Sequence, residues 1–211
     1  IFQTVINKER NLEYGGKCVE MVPHIPEEII SRIKTAADKA KADFVLIEIG
    51  GTVGEYQNLL FLEAARMMKL REPGRVQFVL VSYLPVPPSI GEMKSKPTQY
   101  AVRSLNSAGI QPDFIVARSE YEIDEPRKRK LSINCNMNPE DIIPAPNVDT
   151  IYKVPLMFSD DGFGEKILKK FHKKSKNGEL KEWRALCKVI ANSKQEVKIA
   201  VVGKYFASGG Y

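Results

Sequence analysis

The run Phe44-Val45-Leu46-Ile47-Glu48-Ile49 constrains this chain more than any other segment. It is almost continuously apolar, the pattern of a strand covered on both faces. The glycine-rich turn Gly50-Gly51-Thr52-Val53-Gly54 lies at its C-terminal end. Before it, Pro26-Glu27-Glu28 opens a helix, since proline suits the first turn and acidic groups suit the positive end of the helix dipole. Ile29, Ile30, Ile33, Ala37 and Ala40 then form one apolar stripe at helical spacing. The rhythm repeats. Leu59–Leu70 reads as a helix, Val76–Val81 as a buried strand, Thr98–Ala108 as a helix stopped by Gly109, and Phe114–Ala117 as a strand. Strands alternating with helices imply an α/β fold with a doubly wound, mostly parallel sheet. Ligands bind such sheets at the carboxyl ends of the strands, so the loops after Ile49, Val81 and Ala117 are the expected site.

Within those loops, Glu48 is the sharpest single residue. A carboxylate inside a run of Val, Leu and Ile is costly to bury unless something compensates it. Magnesium is one compensator; local backbone N–H groups or a nearby lysine are the other. Lys94-Ser95-Lys96-Pro97-Thr98-Gln99 places two lysines in a loop just before a helix start, which suits an anion, although the residues alone favour a solvated charged loop. Arg127-Lys128-Arg129-Lys130 is a second basic run with the same two readings. Gly15-Gly16-Lys17-Cys18 ends like a phosphate-binding P-loop, but Asn11 stands where the upstream glycine belongs and Cys18 where the hydroxyl belongs, so it is rejected as one.

Composition narrows the partners. The chain has 211 residues, 43% hydrophobic, enough for one sizeable core and the beginning of a second domain. No apolar run is long enough to span a membrane, and the opening Ile1-Phe2-Gln3-Thr4-Val5 is no signal peptide. A soluble, cytoplasmic protein without membrane partners is expected, and a chain that starts in mid-pattern is expected to be an interior piece. Cys18, Cys135 and Cys187 are far apart and odd in number, which argues against a disulfide framework or a zinc site. The net charge of +6 fits either nucleic acid or polyanionic small molecules. Lys169, Lys170, Lys173 and Lys174 carry no interleaved aromatic rings on the helical stretch expected over Glu165–Lys176, so no nucleic-acid partner is expected. Leu180, Trp183, Cys187 and Ile190 stripe a further helix. After the polar break 192–195, Val197–Gly203 reads as the first strand of a new α/β domain.

Taken together, the chain resembles the CTP synthase family. The blocks that carry the resemblance are Tyr14–Val19 running into Val22-Pro23-His24-Ile25, Glu48–Gly54, Gly91–Gln99, Gly109–Asp113, Asp149–Leu156 and Val201–Tyr205. They stand in the family's order and at its spacing. The resemblance implies a ligase of pyrimidine nucleotide biosynthesis: ATP phosphorylates O4 of UTP, and ammonia released from glutamine displaces that phosphate to give CTP. It implies that residues 1–173 are the later part of a P-loop synthetase domain, 174–195 an interdomain linker, and 196–211 the start of a glutaminase domain. The N-terminal P-loop and the glutaminase triad would then lie elsewhere. No catalytic residue is expected within the chain, and the chain alone is expected to be inactive.

The resemblance also implies roles. Glu48 would be a ligand of the Mg2+ that accompanies ATP. Lys94, Ser95, Lys96, Pro97, Thr98, Gln99 and Lys130 would bind UTP and product CTP. Glu55, Tyr56, Gln57 and Asn134 would meet CTP as feedback inhibitor, and Pro146, Asn147 and Val148 would border the adenine of ATP. A homotetramer is implied as well. The chain departs from the family's pattern in places: Glu55-Tyr56-Gln57 replaces Asp-Ile-Glu, Asn134 replaces Phe, Asn147 replaces Asp, and Pro146 stands where Lys is common. Two rival readings are another ATP-dependent synthetase like dethiobiotin synthetase, which leaves the Lys94–Gln99 segment unexplained, and a non-catalytic basic module binding nucleotide or nucleic acid.

Overall fold

Phe114–Ser119 opens on four apolar residues, Phe114-Ile115-Val116-Ala117, and it forms the middle of the sheet. In the computed structural model, which describes residues 1–175 and 180–203, strand β1 (Val79–Tyr83) pairs with β2 (Phe114–Ser119), and β2 with β3 (Ile142–Pro146), all parallel. Val81 stands opposite Val116, and Val116 opposite Ile143. Helix α4 (Lys96–Ser107) crosses from β1 to β2, and α5 (Glu125–Cys135) from β2 to β3. Both crossovers return the chain so that all three strands end on one side of the sheet.

The period of two along β2 divides the core. Ile115 and Ala117 join a cluster with Leu80, Leu84, Val102, Leu105, Leu131 and Ile142. Phe114 and Val116 join Ile143 and Ala145 on the opposite face, closed by Phe158 of α6 (Val154–Asp160) and by Phe163 and Ile167 of α7 (Phe163–Lys170). Helices therefore cover both faces, as the alternation predicts. Each fully buried aliphatic side chain contributes about 1.5–3 kcal/mol.

A third cluster joins α1 (Phe2–Arg10), α2 (Met21–Ala40) and α3 (Leu59–Arg71) through Val5, Ile25, Ile29, Ile30, Ala64 and Met67. Helix α2 starts earlier than expected. Val22 is extended, as a residue before proline prefers, and the helix runs on through Pro26 in its first turns, where a missing N–H costs little. Of the expected stripe, Ile29 and Ile30 are buried, Ile33 packs at the edge and Ala40 is exposed. The carboxylate of Glu28, 8% exposed, accepts from Lys8 at 2.7 Å and from Arg32 at 2.9 Å and so ties α1 to α2. The Lys8 hydrogen bond, then that of Arg32, holds Glu28 below the usual carboxylate range. Its contribution is full above pH about 4.5 and is lost as pH falls through the lowered folded value. Glu28→Gln is expected to cost about 1–2 kcal/mol at neutral pH. Thermal melts from pH 7 to pH 3 should show the gap to the parent closing in acid, and a gap independent of pH would contradict this role.

Four expectations are corrected. Phe44–Ile49 forms no strand and is not covered: Leu46 is 98% exposed. Phe44 packs edge-on against Phe171 at 5.7 Å and Ile49 packs on the core, so the segment is held near its two ends while its middle stands in solvent. A strand needs a neighbour's backbone groups, and the free edge of β1 makes no ladder with this segment. Consequently β1 is an edge strand that buries only Leu80, with Val79, Val81 and Tyr83 all exposed, rather than a fully buried one. It also starts three residues late, because Asp113 takes the Phe78 N–H at 2.7 Å and Lys69 takes the Val76 carbonyl at 2.6 Å. Helix α7 ends at Lys170, where His172 turns left-handed (φ 53°), so Lys173 and Lys174 do not share its face. Lys170 itself is committed to Asp141 at 2.9 Å and lies over the Phe114 ring.

Ile1–Lys176 and Asn177–Tyr211 are separate compact units. In the second, α8 (Lys181–Asn192) buries Cys187 of its expected stripe, while Leu180 and Ile190 are half-buried and Trp183 is exposed. Residues 197–203 form no strand; Val197, Ile199 and Val202 are all more than 70% exposed, with no adjacent strand among the described residues of that unit to complete a ladder. The expected strand's neighbours Lys204 and Tyr205 lie outside the described residues.

Candidate nucleotide site

The parallel sheet collects three loops at its carboxyl end. The chain leaves β1 at Tyr83 and folds back so that Lys94 N–H donates to the Pro85 carbonyl at 2.8 Å, which brings Lys94–Gln99 to the start of α4. Half of that segment points inward. Thr98 is fully buried and its hydroxyl meets that of Ser82 of β1 at 2.9 Å. The Gln99 amide donates to the Ser95 hydroxyl at 3.0 Å, and both residues are buried. Lys96 and Pro97 are exposed, and Lys94 is partly so. Ser95, Thr98 and Gln99 thus shape the loop, and the lysines face outward from it. Thr98→Val would remove the partner of the half-buried Ser82 hydroxyl, at about 0.5–1.5 kcal/mol. Denaturant melts should register that loss, whereas Lys96→Ala should melt like the parent; equal stability of both variants would contradict this division of labour.

After β2, Ser119 donates its hydroxyl to the Tyr121 carbonyl at 2.7 Å, and Asp124 caps α5 by accepting the Arg127 N–H at 2.9 Å. The basic run Arg127–Lys130 is therefore helical, not a loop. It meets the β1 loop through Glu92. Lys94 Nζ donates to Glu92 at 2.9 Å, and Arg127 Nη2 lies 3.6 Å from the same carboxylate. The Lys94 hydrogen bond and charge, followed by the charges of Arg127 and Lys130, hold the Glu92 carboxyl below the usual range. Lys94 and Arg127 thus meet at one carboxylate across two crossover units, and Lys130 stands three residues beyond Arg127 on α5. Asn134, one turn beyond Lys130, spends its amide on the Lys130 carbonyl at 2.7 Å.

After β3 come Pro146, Asn147 and Val148. Arg118 of β2 reaches across to the carbonyls of Ala145 at 2.6 Å and Pro146 at 3.2 Å and to the Asn147 side chain at 3.0 Å, so it fixes this loop. Asn147 N–H also donates to the Ser119 carbonyl at 2.9 Å. Arg118 carried no role in the sequence analysis, because nothing in a strand pattern reveals a cross-strand tether.

The remaining expected residues stand apart. Glu48 is exposed and has no hydrogen-bond or ionic partner among the described residues, so the buried carboxylate inferred from its apolar neighbours is corrected. The turn that follows closes on itself. Glu55 accepts from the Thr52 N–H at 3.0 Å and from Gln57 at 2.8 Å, and the Thr52 bond above all lowers its pKa. Asn58 donates to the Gly50 carbonyl at 2.5 Å. Gly51 sits at φ +87°, where a Cβ would come within 2.7 Å of both Asn58 and Glu55, so the close turn needs glycine. Val53–Gln57 line an open depression of about 550 Å3, with Tyr56 92% exposed. No hydrogen bond or ion pair among the described residues links Glu48 or the 55–57 segment to the Glu92 cluster. Nor do the described residues contain any group of three His, Cys, Asp or Glu side chains able to hold a metal by themselves. No described helix is long and apolar enough to cross a membrane.

Comparison with known proteins shows the family. Residues 1–173 match the family model described as CTP synthase N-terminus. The CTP synthase of Symbiobacterium thermophilum is 42% identical over 209 residues, covering 98% of this chain and 39% of that protein. That of Pyrococcus horikoshii is 44% identical over 207 residues, covering 97% and 38%. That of Prochlorococcus marinus is 43% identical over 211 residues, covering 99% and 39%. The chain thus spans about two fifths of the length of the curated relatives it matches.

Proposed function

This chain belongs to the CTP synthase family, and we propose that the protein carrying it converts UTP to CTP with ATP and with ammonia drawn from glutamine. The observation that carries the proposal is the meeting of Lys94 and Arg127, from two different crossovers at the carboxyl end of one parallel sheet, around the Glu92 carboxylate, with Lys130 three residues beyond Arg127 on the same helix. Cations that converge at this end of the sheet suit a triphosphate. Neither rival reading is favoured: the match extends over the whole first unit, including the Lys94–Gln99 segment that a dethiobiotin-type synthetase leaves unexplained.

In the proposed reaction, O4 of the uracil takes the γ-phosphoryl group of ATP, and ammonia then bonds to C4 as phosphate leaves. The products are CTP, ADP and phosphate. Lys94, Lys96 and Lys130 would hold the UTP triphosphate, while Ser95, Thr98 and Gln99 keep the loop in shape. Pro146, Asn147 and Val148, fixed by Arg118, would border the adenine of ATP. Glu48 fits Mg2+ only as a single protein carboxylate that shares the ion with nucleotide phosphates, the usual manner for this ion. Bound there, Mg2+ would neutralise charge that develops on the transferred phosphoryl group.

The end of the synthetase domain at 173 is supported by the end of the family match and by the compact unit closing at Lys176; a linker to 195 and a glutaminase domain from 196 complete the proposed division. A homotetramer on the family's pattern is open to light scattering, where a monomer at assay concentration would refute it. The reaction is tested by incubating the full-length protein with UTP, ATP, Mg2+ and ammonium and separating the nucleotides. CTP and ADP in equal amounts are expected. A folded protein that yields no CTP overturns the proposal.

Feedback by CTP should be weak. Gln57 replaces a carboxylate and cannot accept charge-assisted hydrogen bonds, and Asn134 offers no ring for stacking. The structure adds that Asn134 already spends its amide on Lys130. Gln57→Glu and Asn134→Phe are expected to tighten CTP inhibition at fixed UTP; inhibition no tighter than in the parent would contradict this.

A further inference from the structure

The position of Glu92 has a chemical consequence of its own. Its carboxylate is the anion that Lys94 and Arg127 now hold, and it is 55% exposed. It follows Gly91, which is left-handed (φ +65°) with open space around it, at the tip of the loop closed by the Lys94–Pro85 hydrogen bond. The carboxylate can therefore leave without disturbing buried structure. Arg127 is prepared differently. Its Nε donates to the Met93 carbonyl at 3.2 Å and its Nη1 is held by Asp124. Only Nη2 is turned to Glu92, at 3.6 Å, too long for a hydrogen bond of normal strength. A guanidinium held on two sides with its third nitrogen underused is pre-oriented for an anion oxygen. Lys130 completes the set, since it stands three residues beyond Arg127 on α5 and so on the same face of that helix.

We propose that Glu92 is the resident counter-ion of an anion site formed by Lys94, Arg127 and Lys130, that a polyphosphate binds there by displacing it, and that Arg127 is a further nucleotide-binding residue. The inference rests on the proposed UTP reading of the Lys94–Gln99 loop. It makes Glu92 an internal competitor: the side chain keeps the three cations from repelling one another while the site is empty, and sets the affinity by having to be displaced.

The test is calorimetric titration of the purified protein with UTP and, separately, with inorganic tripolyphosphate, which shares the phosphates and lacks the base. Glu92→Gln should tighten both ligands about threefold, since an exposed ion pair no longer competes. Arg127→Gln should weaken both about tenfold. Glu125→Gln, which removes the same charge from the first turn of α5, should change neither by more than a small fraction. Equal tightening by Glu92→Gln and Glu125→Gln would reduce the effect to net charge and overturn the inference. Loss of binding in Lys94→Gln with Glu92→Gln and Arg127→Gln unchanged would overturn the inference and leave the UTP reading standing. Indifference of UTP to Lys94→Gln would overturn both, as would failure of the parent and of Glu92→Gln alike to bind either ligand.

Discussion

Replacing Glu48 by alanine is expected to lower ammonia-dependent CTP formation by the full-length protein about a hundredfold or more while sparing glutamine hydrolysis. One electrostatic stabiliser of a transferring group is worth on the order of a hundredfold to a thousandfold in rate. The structure sharpens the expectation. Glu48 is exposed and has no ionic partner among the described residues, so its removal breaks no internal contact and should not unfold the chain. A loss of rate at unchanged melting temperature is therefore assignable to the site. The Mg2+ concentration needed for half-maximal ATP binding should rise in the same variant. CTP formation near the parent's rate would refute the metal role, and so would a rate loss accompanied by an unchanged Mg2+ requirement.

Lys96→Ala should weaken UTP about tenfold to a hundredfold and leave ATP nearly untouched, because a charge-assisted hydrogen bond to a phosphate contributes about 1.5–3 kcal/mol. Lys96 is exposed at the first turn of α4, where the unpaired backbone N–H groups already favour an anion. It makes no ion pair among the described residues, in contrast with Lys94, which must first release Glu92. The loss should therefore be at least as large for Lys96→Ala as for Lys94→Ala. Titration of each variant with UTP at saturating ATP, and with ATP at saturating UTP, separates the two nucleotides. Equal losses for both would point to general damage instead of a UTP contact.

Much of the fold was legible because it rests on local pattern. Leu59–Leu70, Thr98–Ala108 and Phe114–Ala117 each appear within about two residues of their expected bounds, since helical spacing, a stop glycine and a bounded apolar run are properties of the segment itself. What depended on neighbours was not legible. Phe44–Ile49 has the composition of a central strand, yet pairing belongs to two segments, and its partner edge on β1 makes no ladder with it. β3 escaped notice because Pro144 and Pro146 argue against a strand; it is tolerated as an edge, where a missing N–H can face away from the ladder. Helix α5 was read as a charged loop because it buries only Leu131 and Cys135, although the Asp124-Glu125-Pro126 start was a usable cap signal.

The site divides in the same way. Two lysines before a helix start could be read as anion-binding from the sequence, and Thr98 stands one turn before Val102 on the buried face of α4, but the inward turn of Ser95, ahead of the helix, has no periodicity to reveal it. The Glu92 contact with Arg127 spans 35 residues of chain and could come only from three-dimensional proximity. Arg118 and its hold on Asn147 are of the same kind.

The central claim is that the carboxyl end of this sheet, at Lys94, Lys96 and Lys130, holds the triphosphate of a pyrimidine nucleotide. A structure of the full-length protein determined with UTP tests it most directly. The account predicts triphosphate oxygens within hydrogen-bond reach of Lys94, Lys96 and Lys130, with Glu92 swung away from Lys94. An ordered UTP elsewhere on the molecule, with the Lys94–Glu92 pair intact, would contradict it.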